Sequence, residues 1–153
     1  MQVIQEWTMN CFPPSLNNMY PTSRAGHRFL SSEGKAFKNA FELEMNRQGW
    51  PCLIEYADHS FSLIVEFYWS GWFTKDGKLW TNRDVSNRYK AIEDAIFKKI
   101  QIDDSRNILP LPVKRYPEAD KDQYIKAKLI MFNRDEFHQV IAGDYIAVLG
   151  GAA

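Results

Sequence analysis

The chain has 153 residues, 45% of them hydrophobic and 14% aromatic, and its formal net charge is zero. That length suffices for one domain with a real core, while the neutral balance argues against a strongly basic protein that captures nucleic acid by long-range attraction. No apolar run reaches the length of a membrane span, and Met1-Gln2-Val3-Ile4-Gln5-Glu6 lacks the basic start and apolar core of a signal peptide.

A cytosolic protein is therefore expected, with Cys11 and Cys52 as reduced thiols. Two cysteines at this spacing, without paired histidines, do not make a zinc site. Val3 to Met9 alternates loosely and reads as a strand that ends at Pro13-Pro14. The stretch from Ser15 to Phe29 is rich in turn formers, lacks periodicity, and reads as a polar, basic loop. A hydroxyl cap at Ser31 or Ser32 opens a helix with Phe37, Ala40, Phe41 and Met45 at three- and four-residue spacing, closing at Gly49 before Pro51.

Ser60 to Trp69 alternates Phe61, Leu63, Val65, Phe67 and Trp69 with Ser62, Ile64, Glu66 and Tyr68, the period of a strand packed on one face. Gly71 to Trp80 carries Asp76-Gly77, a tight-turn signal, and reads as a projecting hairpin-like excursion. A second helix is expected from about Asn87 to Lys99, with Ile92, Ala95, Ile96 and Ile100 on one face, before Asp103-Asp104 turns the chain. Gln123 to Phe132 reads as a closing strand and Asn133 to Ala142 as a terminal helix.

Charge is segregated along the chain. Lys75, Lys78, Arg83, Arg88 and Lys90 outnumber Asp76 and Asp84 between residues 70 and 90, and Arg24, Arg28, Lys35 and Lys38 face only Glu33 between 15 and 38. The acids flanking the second helix have an ordinary reading. Asp84, Ser86 or Asn87 caps the helix, and Asp103-Asp104 makes a polar turn. Their combination has another. A hard cation such as Mg²⁺ needs only one or two protein carboxylates beside water and phosphate oxygens, and acids brought together call for a compensating cation. Lys90, one turn into the helix, either leans toward those acids or pairs with Asp94 four residues on. A helix of this length holds Asp84 and Asp104 roughly 20 Å apart along its axis, so the following segment must run back beside it for them to converge.

The order of these residues resembles the RusA family of Holliday junction resolvases, small homodimeric Mg²⁺-dependent nucleases of bacteria and their phages. Pro13-Pro14-Ser15-Leu16-Asn17-Asn18-Met19-Tyr20 is similar to the family's Pro-Pro-Ser-Asn-Asn-x-Tyr segment with one residue inserted, and Ser32-Glu33-Gly34-Lys35-Ala36-Phe37 is similar to its Ser-x-Glu-Gly-x-x-Tyr helix start. The pattern Asp-x-Asp-Asn-x-x-Lys, Asp-Ala-Leu, Asp-Asp is matched by Asp84, Ser86, Asn87, Lys90, Asp94-Ala95-Ile96 and Asp103-Asp104, with Lys114 at a further basic position.

With the elements above, the resemblance implies an α+β fold, a mixed β-sheet packed against two principal helices. Residues 1–132 would form the nuclease domain and 133–153 a helical extension of it. It further implies a homodimer cutting branched DNA, with Mg²⁺, or Mn²⁺ in its place, held by Asp84 and Asp104 and shared by Asp103. Lys90 would assist at the phosphate, and Ser86, Asn87 and Asp94 would support the site. Arg24, Arg28, Lys75, Lys78, Arg83, Arg88 and Lys114 are expected to contact DNA phosphates, with Trp72, Phe73 or Trp80 stacking on an exposed base or wedging into the junction, or else packing in a dimer core or within the hairpin. Ser86 stands where the family has its second acid. The alternatives are therefore a junction-binding dimer that does not cut, and a protein-interaction module whose acids merely cap and solvate a helix.

Overall fold

In a computed structural model, residues 1–74, 76, 83–119 and 122–141 are described, the last helix without the side chains of 134 and 139–141. The chain forms β1 (Gln2–Met9), α1 (Leu16–Met19), α2 (Ser32–Arg47), β2 (Ser60–Trp69), α3 (Ser86–Ile100), β3 (Leu111–Arg115), β4 (Gln123–Phe132) and α4 (Arg134–Ile141). The strands make one mixed sheet in the order β1-β4-β2-β3. β4 runs antiparallel to both β1 and β2, whereas β3 is parallel to β2. This is the expected α+β architecture of a mixed sheet with two principal helices.

The period-two pattern sorts side chains to the two faces of the sheet. Phe61, Leu63, Val65 and Phe67 of β2 join Ile125, Ala127 and Leu129 of β4 and Trp7 and Met9 of β1 in one buried cluster. Phe37, Phe41 and Met45 of α2 and Ile92, Ile96 and Ile100 of α3 belong to the same cluster, so both helices cover this face. The other face is more polar, with ion pairs Glu6–Lys128 and Glu66–Arg115 at 2.6 Å and Tyr68 stacked on Tyr124 at 4.4 Å. It is not wholly solvated. Ile130 and Phe132 form a second small core with Met1, Ile64, Ile108 and Leu109 against them.

Local chemistry sets the helix ends. Ser31 Oγ accepts from the Gly34 N–H at 3.0 Å at the start of α2, with Glu33 in the first turn and Arg47 in the last, both favourable to the helix dipole. Gly49, at φ 67°, supplies the left-handed residue that lets the chain leave. At the end of α3 the same conformation is taken by Gln101, at φ 62°, and the Gln101 and Ile102 N–H groups both fold back onto the Phe97 carbonyl.

Three departures from the sequence reading have physical causes. The segment after Pro14 is not all loop, because Ser15 Oγ accepts from the Asn18 N–H at 3.3 Å and caps the single helical turn of α1. The excursion expected from Gly71 begins instead as a 3₁₀ turn over Ser70–Trp72, and Trp72 is fully buried with its Nε1 donating to the Phe67 carbonyl at 2.8 Å. Trp72 thus belongs to the core and has no free face for a base, while Lys75, Lys78 and Trp80 lie outside the described residues. β3 was not expected at all. Asn133 and Glu136 close a reciprocal cap at 2.9 Å in each direction at the start of α4, and the Met1 ammonium pairs with Glu136. Among the described residues no helix is long and apolar enough to cross a membrane.

Candidate metal centre

The chain reverses after α3 and runs back along it. Asp103 accepts from the Ser105 N–H at 2.9 Å and caps a 3₁₀ turn, Asp104–Arg106. Asn107 then fastens the returning chain to β2, since its Oδ1 accepts from the Leu63 N–H at 3.0 Å. Asp94 lies about 9 Å along the axis from the end of α3, a distance four extended residues can retrace. Asp104 is carried back beside the middle of the helix.

There Glu93, Asp94 and Asp104 each offer a carboxylate oxygen within 4.8 Å of the others. Lys90 Nζ lies among them, 3.0 Å from Glu93 Oε2, 3.0 Å from Asp94 Oδ1 and 2.5 Å from Asp104 Oδ2. Burial pulls the Lys90 pKa down, but the hydrogen bonds it donates to Asp104, Asp94 and Glu93 together outweigh it and hold the ammonium well above the ordinary lysine value. Both sequence readings of Lys90 are realised, since it pairs with Asp94 and also leans onto the returning acid.

Glu93 is the residue the sequence reading missed. It is 8% exposed, and a carboxylate so far from water needs compensation. Lys90 provides the charge, and Asn107 Nδ2 donates to Glu93 Oε1 at 2.6 Å. The same amide donates to Tyr89 Oη at 2.7 Å, whose own hydroxyl donates to the Leu63 carbonyl at 2.9 Å. Burial holds that phenol protonated far above the ordinary tyrosine value. Glu93 is thereby fixed in orientation by a ladder that ends on β2.

The other expected residues are placed as follows. Asp84 is exposed ahead of α3, its Oδ1 accepting from the Ser86 N–H at 2.8 Å, and it stands outside the carboxylate group. Asp103, likewise exposed and outside the group, is held below the usual carboxylate range by hydrogen bonds from Ser105. Ser86 is the exposed first residue of α3 and Asn87 the half-buried second. Of the expected residues, the structure brings Asp104, Lys90 and Asp94 together, whereas the expected convergence of Asp84 with Asp104 does not occur and Asp84 and Asp103 serve local turns.

Arg24 and Arg28 are exposed on the loop after α1. Arg83, Arg88 and Lys114 gather instead around the aromatic cluster near the start of α3, where Lys114 Nζ lies 5.1 Å from the Trp72 ring centroid and donates to the Arg83 carbonyl at 2.8 Å.

All the donors of the cluster are oxygens, two exposed enough to exchange with solvent and one fixed from within. Such a set suits a hard divalent cation, Mg²⁺ or Mn²⁺, better than zinc or copper. No family model matches this chain, and no curated protein matches it in sequence.

Proposed function

We propose that this protein is a metal-dependent endonuclease of the RusA-like kind, hydrolysing phosphodiester bonds in branched DNA as a homodimer. The observation that supports it is the return of Asp104 to the middle of α3, where carboxylates from two separate segments gather around the Lys90 ammonium. Glu93 supplies a third acid in a chain that has Ser86 at the resembling family's second acidic position. When bound, Mg²⁺ supplies positive charge at the phosphate and makes a nearby water acidic.

Glu93, Asp94 and Asp104 would hold the ion, Asn107 keeping the Glu93 carboxylate aimed at it. Lys90, whose ammonium now neutralises these acids, would be the group at hand to offset charge developing on the phosphate oxygens during displacement. Two-fold symmetry places two such sites on opposed strands of a four-way junction, giving paired cuts.

A second reading is favoured by one specific observation. Lys90 Nζ already occupies the place of a cation, within 3.0 Å of three carboxylates. If it stays there, the protein binds junctions without cutting them. The readings part on a labelled four-way junction incubated with Mg²⁺, Mn²⁺ or chelator. Metal-dependent paired nicks are expected from the parent, and Asp104→Asn and Glu93→Gln are expected to cut at least ~100-fold more slowly while binding as before. A retained complex with no product under any metal supports the binder instead, and products that persist in chelator remove the metal reading.

A further inference from the structure

Arg83 and Arg88 approach the same indole. Their guanidinium carbons lie 4.4 and 4.9 Å from the Trp69 ring centroid, and that of Arg88 lies a further 5.3 and 5.9 Å from the rings of Phe12 and Trp72. These rings pack on one another, with centroids 5.0 Å apart for Trp69–Trp72 and 5.5 Å for Phe12–Trp69. Gly71 makes the arrangement possible, since a Cβ there would overlap the Trp69 ring and fall 2.8 Å from Arg83 Nη1.

Two like charges on one ring repel, and neither guanidinium pairs with a carboxylate among the described residues. Arg88 donates to the Pro13 carbonyl. Burial first, and then repulsion by Arg83, lowers its pKa from the ordinary arginine value, with Glu33 acting the other way. An oxyanion removes that repulsion. Guanidinium forks match phosphate oxygens two at a time, and the aromatic bed orders the arginines before the anion arrives. Arg88 is two positions before Lys90, roughly 200° around the helix, so an anion here is not the one facing the carboxylate cluster.

We propose that Arg83 and Arg88, seated on Trp69 above Gly71, form a binding site for one phosphate oxyanion, and that the group it takes is a DNA backbone phosphate away from the bond that is cut. The DNA half of this rests on the proposed function, whereas the anion site rests on the arginines alone.

The test is binding without cleavage, in chelator, with a labelled four-way junction over a range of salt. Arg83→Gln and Arg88→Gln are each expected to weaken binding about tenfold and to lower the slope of log affinity against log salt by about 1. Gly71→Ala, which removes no charge, should weaken binding several-fold at unchanged slope. Circular dichroism checks each fold, and Arg83→Gln, at an exposed residue, carries the result if the half-buried Arg88 variant unfolds.

In a second arm, inorganic phosphate at millimolar concentration should shift the Trp69 indole resonance of the parent but not of Arg83→Gln. A shift by phosphate together with unchanged junction affinity in Arg83→Gln assigns the site to free phosphate and overturns the DNA half. Neither effect overturns the whole. A parent that binds with an arginine-dependent slope but never cuts leaves this site standing and removes the nuclease reading, while cutting by a parent whose slope ignores Arg83 does the reverse.

Discussion

Glu93 puts a carboxylate where α3 can least tolerate one, on the stripe it shares with Tyr89, Ile96, Phe97 and Ile100. Its position is visible in the sequence as an acid at core spacing from those residues. Asn107 was not visible, because its bond to the Leu63 N–H spans 44 residues and no local pattern encodes it. The two cysteines divide by the same logic of burial. Cys52 is exposed, whereas burial first and the nearby Glu44 carboxylate second push the Cys11 thiol from 9.0 up to about 11. The folded state therefore favours the protonated thiol. This stabilisation is intact below the unfolded value and is lost as pH rises from about 9 toward 11. At roughly pH 8 iodoacetamide should label Cys52 and spare Cys11 until the protein is unfolded. Mass spectrometry of the peptides decides it, and equal labelling in the folded state would show that partial burial does not hold the Cys11 thiol protonated.

At the level of elements, a helix can be legible while its packing is not. The three- and four-residue spacing and serine cap predict α2 to within two residues, yet no local pattern shows that Gly34 in its first turn is where the end of α1 packs. A Cβ there would meet Leu30 Cδ1 at 2.7 Å and the Met19 carbonyl oxygen and Cα at 3.1 and 3.2 Å. Leu30 can turn aside, but Met19 is 1% exposed and its carbonyl accepts from the Ser31 N–H at 2.8 Å. Gly34→Ala, which stabilises an exposed helix, is expected here to lower stability by about 1–3 kcal/mol through overpacking. Denaturant unfolding measures this, and a rise in midpoint would mean that α1 yields. β2 and β4 agree with their sequence bounds, β2 because alternation over ten residues is a strong signal. β3 has five residues, carries Pro112 and does not alternate, and it forms only because β2 offers an edge alongside. Pro112 pairs with Val65 in register on the outermost strand, where a missing N–H is tolerated.

For the molecule as a whole, neutral net charge leaves electrostatics to local arrangement. A cation that binds the acidic cluster binds only the folded chain, because the unfolded chain separates Asp104 from Glu93 and Asp94. With a dissociation constant of ~1 mM, ~10 mM Mn²⁺ should raise stability by about 1.4 kcal/mol, which is ~3 °C in melting temperature for a domain of this size. Thermal unfolding of the parent against Asp104→Asn tests this without any activity. An equal rise in both would place the binding elsewhere, and no rise in the parent would mean that Lys90 keeps the site.

The sequence by itself determined the α+β class, the two long strands, the two principal helices, and the residue types available for a cation site. The long strands and helices follow from periodicity, which is local. Only the tertiary structure decided which acids meet. The left-handed turn at Gln101 and the grip of Asn107 on β2 bring Asp104 back to Lys90, Glu93 and Asp94, while Asp84 and Asp103 remain turned toward their own backbone neighbours. The separation of acids along a helix is set by its rise per residue, but their convergence depends on the path of the chain that leaves it.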